Sequence, residues 1–339
     1  VRNIFNDLSR EYQARNSTSS AAAKVSQAIA AQASALKLEP VVEKIKVYHF
    51  QNSLFSFALG SLVAILIGFL LPIPGFIFQT ILWLLLLGEI KRPVLAKLKS
   101  GEAENIVVTI PAKSKEVQKV ILTAAYDTNP FISTPLGLKP QLYWGLNLIL
   151  GLTAPVLQLA GIILKLPLLL FWSLLPLLVL VVCSILAKTQ SIPSGLTGCS
   201  ALLESASILT RFRPSITTVV LYFTGAQSLN SGVQNLPALF EGENPTYGLN
   251  LVEQNRPEIG IINREGFLPR PGSPLLKELL VEVATEKSIP VKSITSSEVT
   301  PSYPLLSKKA NAISLAVSTG ETNENLRELI VGFIRKIER

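Results

Sequence analysis

Apolar and polar positions along the chain fall into two regimes. In one, residues 53–88, 142–163 and 168–187 run without any charge. In the other, β-branched or aromatic runs alternate with stretches whose apolar positions recur at helical spacing. A helix rises 1.5 Å per residue, so about 20 apolar residues span a ~30 Å hydrocarbon core. The PIPG at 72–75 splits the first charge-free stretch, because Pro72 and Pro74 oppose a continuous helix. The pattern predicts a helical hairpin, roughly 54–71 and 74–89, with one kinked span or a re-entrant hairpin as the other reading. Residues 142–163 and 168–187, turning at Lys165 and Pro167, predict a second hairpin; a hairpin buried in a globular core is its alternative.

The flanking charges extend this reading. Lys44 and Lys46 precede the first hairpin, and Lys91, Arg92, Lys97 and Lys99 follow it. Lys139 and Lys188 bracket the second, and Lys165 alone lies between arms. The positive-inside bias then assigns the N-terminus, residues 90–140 and everything after 188 to the cytoplasmic side. The expectation is an integral, multi-pass protein in a plasma membrane or, in a photosynthetic cell, a thylakoid. His49, in VYHF, reads as an anchoring residue at the headgroup edge.

The second regime predicts a layered domain. Strands are expected over 104–112, 117–127, 215–225, 257–266 and 312–319, the third strongly β-branched and aromatic. Helices are expected over 196–211, 273–288 and 324–338. Alternating strands and helices argue an α/β domain with a largely parallel sheet buried on both faces. Before it, Ser20 to Leu38 reads as an alanine-rich helix whose Val25, Ile29, Ala33 and Leu36 form an apolar face. That face would lie on a membrane, dock on a partner, or stay solvated. The expected organisation is an N-terminal helical or tail segment (1–50), a transmembrane hairpin (51–90), the first part of the α/β domain (100–137), an inserted transmembrane hairpin (141–188) and the rest of the domain (189–339).

Composition narrows the chemistry. The chain is 48% hydrophobic and 16% charged, below the roughly 25% of typical soluble domains. His49 is the only histidine, and Asp7 and Asp127 are the only aspartates. Most zinc, iron and general-base chemistry draws on these two residue types, so a His-rich metal site is excluded. Cys183 and Cys199 are the only cysteines, one inside an apolar run, which argues against a structural disulfide. The formal charge of +8 includes the lysines beside the apolar runs. Basic and aromatic residues do not interleave as a nucleic-acid surface requires, and neither a phosphate loop nor a nucleophile elbow is present.

Several landmarks resemble the M28 family of zinc aminopeptidases. That family ends a strand in alanine, a metal-binding histidine, a further residue and an aspartate. This chain has Ala124, Ala125, Tyr126 and Asp127, so Ala125 holds the histidine's place. A glycine-rich turn and a Leu-Leu-Glu helix follow as in the family, with Ser194 where the bridging aspartate belongs. After the strand ending in Gly225 and Ala226, Gln227 replaces the general base and Ser228 a glutamate ligand. Asn263 stands for a further ligand aspartate and Ser318 marks the turn of the last histidine. The resemblance implies a three-layer αβα sandwich with a mixed, mostly parallel sheet, here carrying four transmembrane helices. Its cleft is degenerate: Ala125, Asp127, Ser194, Gln227, Ser228, Asn263 and Ser318. No residue is expected to hold a metal or cofactor, and none to be catalytic.

The expected function is therefore a membrane-anchored, catalytically inactive peptidase-like protein, a binding or scaffold subunit. Its partners would be the lipid bilayer and another integral membrane protein or a peptide segment, with no nucleic acid. The alternative is a divergent M28-like hydrolase with a relocated or non-standard active site.

Overall fold

The computed structural model describes residues 2–13, 15–48, 50–88, 100–128, 130–133, 140–166, 188–191, 196–225, 232–233, 235–254, 258–266, 269–296, 300, 302, 305–306, 310–318 and 324–338, with scattered positions between 169 and 182. Two compact units emerge. The first comprises residues 1–47, 102–129 and 191–339; the second comprises 48–101 and 130–190.

The first unit is built on a nine-stranded sheet. Its strands are β1 (Pro40–Tyr48), β2 (Ser100–Ile110), β3 (Gln118–Ala125), β6 (Thr217–Thr224), β7 (Thr246–Gln254), β8 (Ile259–Glu265), β9 (Arg270–Pro271), β10 (Val291–Ser296) and β11 (Asn311–Ser318). They lie in the order β1-β2-β6-β3-β7-β11-β8-β10, with β9 against β8. The central pairs β3–β6, β3–β7 and β7–β11 are parallel, while β2–β6 and β8–β11 are antiparallel. The α/β sandwich thus stands as expected, on a mixed sheet whose central strands are parallel.

Helices α1 (Arg2–Glu11), α2 (Ser20–Ala35), α6 (Thr197–Arg211), α7 (Pro274–Glu286) and α8 (Glu324–Ile337) share the principal core with one sheet face. Val120, Leu122 and Ala124 of β3 point into it, as do Leu249 and Leu251 of β7. On the other face, among the described residues, Ile121, Val220, Tyr222 and Ala312 pack against Val233, Leu236 and Leu305. Ser19 starts α2 by accepting from the Ala22 N–H at 3.2 Å, the usual N-cap arrangement. Val25, Ile29 and Ala33 are then fully buried in the unit's own core. None of the three fates open to this helix in the sequence is the outcome: its apolar face packs into the core of its own unit.

The second unit contains α3 (Phe50–Leu70), α4 (Pro72–Gly88), β4 (Pro130–Ser133), α5 (Pro140–Leu164) and β5 (Lys188–Ser191). The PIPG break does produce a helical hairpin: α3 ends just before it and Pro72 opens α4, where its missing N–H costs nothing. A Cβ on Gly75 would collide with the Gly68 backbone, so this pair of glycines lets the two helices touch. Gln79 donates to Ser61 at 2.9 Å across the same contact.

The expectation of four transmembrane helices is corrected here. Among the described residues, no helix is long and apolar enough to cross a membrane. The 17 residues of α4 rise about 26 Å, short of a ~30 Å core. Most of 168–187, the expected fourth arm, lies outside the described residues, as does His49. The inserted-helix part of the family resemblance, the lipid bilayer as a partner, the multi-pass localisation with its cytoplasmic-side domain and the membrane-anchored function all lose their footing with it.

Candidate functional site

The carboxyl ends of β3 and β7 and the start of α6 converge, and buried polar groups collect there. Gly198 makes this possible: a Cβ at that position would meet the Ala124 and Leu251 side chains at 3.3 Å each, so a glycine lets the first turn of α6 press onto both strands. In register, Ala124 pairs with Leu251, so Glu253 lies two residues further along β7. Its Oε1 accepts the Thr197 N–H at 2.6 Å and the Gly198 N–H at 3.4 Å. The unpaired amides of a helix N-terminus are a natural anion site, and here the protein's own carboxylate fills it. Burial nevertheless pushes the Glu253 carboxyl up to about 7, against the pull of those two amides and of Arg15.

Asp127 lies two residues past the end of β3 and is buried. Its Oδ2 accepts the Ser17 hydroxyl at 2.7 Å. Arg15, fully buried, donates from Nε to the Tyr126 carbonyl at 2.9 Å and from Nη1 to the Tyr12 carbonyl at 2.5 Å. Burial lowers the Arg15 pKa, while Glu253, Cys199 and Asp127 act to raise it. Backbone contacts lock the segment in place: the Arg15 N–H donates to Thr128 Oγ1 at 3.0 Å, and the Thr128 N–H returns to the Arg15 carbonyl at 2.8 Å. Cys199 is free and buried, donates to the Ala125 carbonyl at 3.4 Å, and has its thiol pushed well up by burial.

A second polar centre lies on the other sheet face. Glu265 ends β8 with 1% exposure. Its Oε2 accepts Thr300 Oγ1 at 2.7 Å and Ser314 Oγ at 2.9 Å. Ser302 Oγ lies 2.6 Å from Ser314 Oγ. Asn250 donates to Ser314 at 3.3 Å and accepts from Thr123 at 2.8 Å, extending the row across β7 to β3. Burial pushes Glu265 up to about 7, the hydroxyl bonds opposing it.

The residues singled out in the sequence fare unequally. Ala125 and Asp127 sit together at the end of β3, and Ser318 ends β11. Asn263 lies in β8, three strands from β3 in the sheet order, or roughly 14 Å at ~4.8 Å per strand. Its backbone carbonyl accepts Gly272 N–H at 2.9 Å; it does not join Asp127. Ser194, Gln227 and Ser228 lie outside the described residues. Three participants escaped sequence reasoning: Arg15, Glu253 and Glu265. Glu253 did carry a signal, being the one acid that closes the apolar run LNLVE, whereas Arg15 had none.

Zinc does not fit this arrangement. Ala125 has no donor, Asp127 is engaged by Ser17, and a guanidinium lies among the carboxylates. Among the described residues, no three His, Cys, Asp or Glu side chains are grouped so as to hold an ion.

No protein-family profile matches the sequence, and no curated protein does. Solved structures do match in fold. A zinc aminopeptidase from Bacillus subtilis aligns with a TM-score of 0.54 at 12% identity, over 99% of this chain and 93% of its own. A glutaminyl cyclase from an Acidobacteriales bacterium gives 0.54 at 12%, over 99% and 94%. The Fimbriiglobus ruber glutaminyl cyclase gives 0.53 at 11%, over 98% and 93%. At such identities the likeness is one of fold. It upholds a distant peptidase-like α/β sandwich, without the inserted transmembrane helices.

Proposed function

We propose that the chain is a non-hydrolytic member of the exopeptidase-like fold that acts by binding a protein or peptide segment. The observation that carries this reading is the donor set at the end of β3. Catalytic zinc needs about three protein ligands and an open position for water. Ala125 offers nothing, and Asp127 already accepts a bond from Ser17. Without a metal-bound water, no group in this cluster is placed to attack a peptide carbonyl. Calorimetric titration of the full chain with zinc, alongside a panel of aminoacyl-anilide and N-terminal glutaminyl substrates, tests the reading. We expect no stoichiometric zinc binding at micromolar concentration and no turnover above blank; stoichiometric zinc with turnover overturns it.

A second reading, a divergent hydrolase with a non-standard site, rests on the Glu265 centre. The fold neighbours named above are enzymes, which favours this reading over a membrane-anchored scaffold. A carboxyl near neutrality suits general-base work, and Ser314 links Glu265 to the Ser302 hydroxyl. A fluorophosphonate probe separates the two: labelling of Ser302 that disappears in Ser302→Ala supports the hydrolase, and an unlabelled chain supports the binding protein.

A further inference from the structure

We propose that the carboxyl ends of β3 and β7 form a guanidinium-binding site whose ligand is Arg15, delivered by the chain's own N-terminal segment. The proposal goes beyond both functional readings and is independent of which one holds.

Four observations converge on it. First, Arg15 has no exposed surface, and a cation is buried only where its charge and its N–H groups are compensated. Second, compensation is present in both forms. The carbonyls of Tyr126 and Tyr12 accept from Nε and Nη1, and the charges of Glu253 and Asp127 bear on the guanidinium. Third, the segment that carries Arg15 is fastened to the strand end beside it. The paired bonds between Arg15 and Thr128 and the Ser17–Asp127 bond each bridge more than a hundred residues of chain, so local sequence does not hold the segment there. Fourth, Tyr12 is itself steadied, since Lys24 Nζ donates to its hydroxyl at 3.0 Å and lies 5.1 Å from its ring centre.

The chemistry asks for guanidinium specifically. A planar fork can satisfy two carbonyls at an angle to one another while facing carboxylates, and it is weakly hydrated. An ammonium is a compact, strongly hydrated point charge and matches such a site poorly. The location also explains why the acids are tolerated: Asp127 and Glu253 lie at the ends of two adjacent parallel strands, and a side chain supplies the positive charge they face.

The test is chemical rescue in the full-length chain. Arg15→Ala should lose on the order of 10 °C of melting temperature, as expected when one partner of a buried ion cluster is removed. Millimolar methylguanidinium should recover about half of that loss, saturably and in the variant alone, whereas methylammonium at equal ionic strength should not. Arg15→Lys should remain close to Arg15→Ala. A loss below 1 °C, or equal responses to the two cations, overturns the site. Should Arg15→Ala fail to fold, hydrogen exchange on the wild-type chain decides. Peptide 12–19 is expected to exchange as slowly as peptide 118–125 of β3; complete exchange within seconds overturns the proposal.

Discussion

Two glutamates, one on each face of the same sheet, solve the problem of burial differently. Glu253 is held by the backbone amides that open α6 and faces a cation; Glu265 is held by the hydroxyls of Thr300 and Ser314. Burial is the leading cause of the upward shift for both, and both arrive at about 7. Similar shifts therefore conceal different dependencies. The first carboxyl relies on a distant stretch of chain being docked. The second relies on neighbours in β11 and the residues just before it, within a hydroxyl row that stays inside the sheet and its cover.

The sharpest way to break this comparison is to remove the cation. Arg15→Met should cost about 3–5 kcal/mol in urea denaturation, because it leaves buried carboxylates uncompensated. Adding Glu253→Gln should return more of that loss than it adds to the wild-type chain, whereas Glu265→Gln should shift the variant and the wild-type chain equally; equal coupling for the two would erase the distinction. Next in size is the response to pH. The folded-state values of about 7 lie above the ordinary 4.5, so the folded chain holds these protons more tightly than the unfolded one. The stability this confers is complete below pH 4.5 and is lost as pH rises through 7. For Glu265 the change is on the order of 3 kcal/mol. Denaturation midpoints taken from pH 4.5 to 8 should decline accordingly, and a flat profile would contradict the burial described.

A smaller effect isolates one centre. Glu265→Gln imitates the protonated carboxyl, so it should be close to neutral at pH 5 and stabilising by about 1–2 kcal/mol at pH 8. Smallest is Ser17→Ala, which deletes one hydroxyl bond to Asp127 and should cost about 1 kcal/mol. Its melting curve should retain the wild-type dependence on pH, since neither raised carboxyl loses a bond.

Much of the frame was legible in the pattern of residues. The run expected over 215–225 became β6, and the helices expected over 196–211, 273–288 and 324–338 became α6, α7 and α8, each within two residues at its ends. These elements bury continuous or helically spaced apolar faces, so the spacing of apolar residues announces them. Strands β7 and β10 were missed for opposite reasons. Gly248 and Asn250 interrupt β7 inside the sheet, and β10, VKSITS at the sheet edge, is too polar to stand out. Missing β7 left Glu253 unread, because it lies two residues beyond the Ala124–Leu251 pair, beside the end of β3. The charge-free stretches were legible as helices, with ends close to those of α3, α4 and α5, but an apolar run does not itself say whether lipid or protein covers it. Arg15 was beyond reach in principle: its partners Tyr126, Asp127 and Glu253 are specified by tertiary packing.

The chain leaves the first unit after Asn129 and rejoins it at Ser191, and the short strands β4 and β5 at those two points pair with each other. Paired strands stand ~4.8 Å apart, a gap that a two-residue hairpin turn can close. The ends of the segment 130–190 are thus drawn together by its own strand pair, so a change in its length costs little closure entropy.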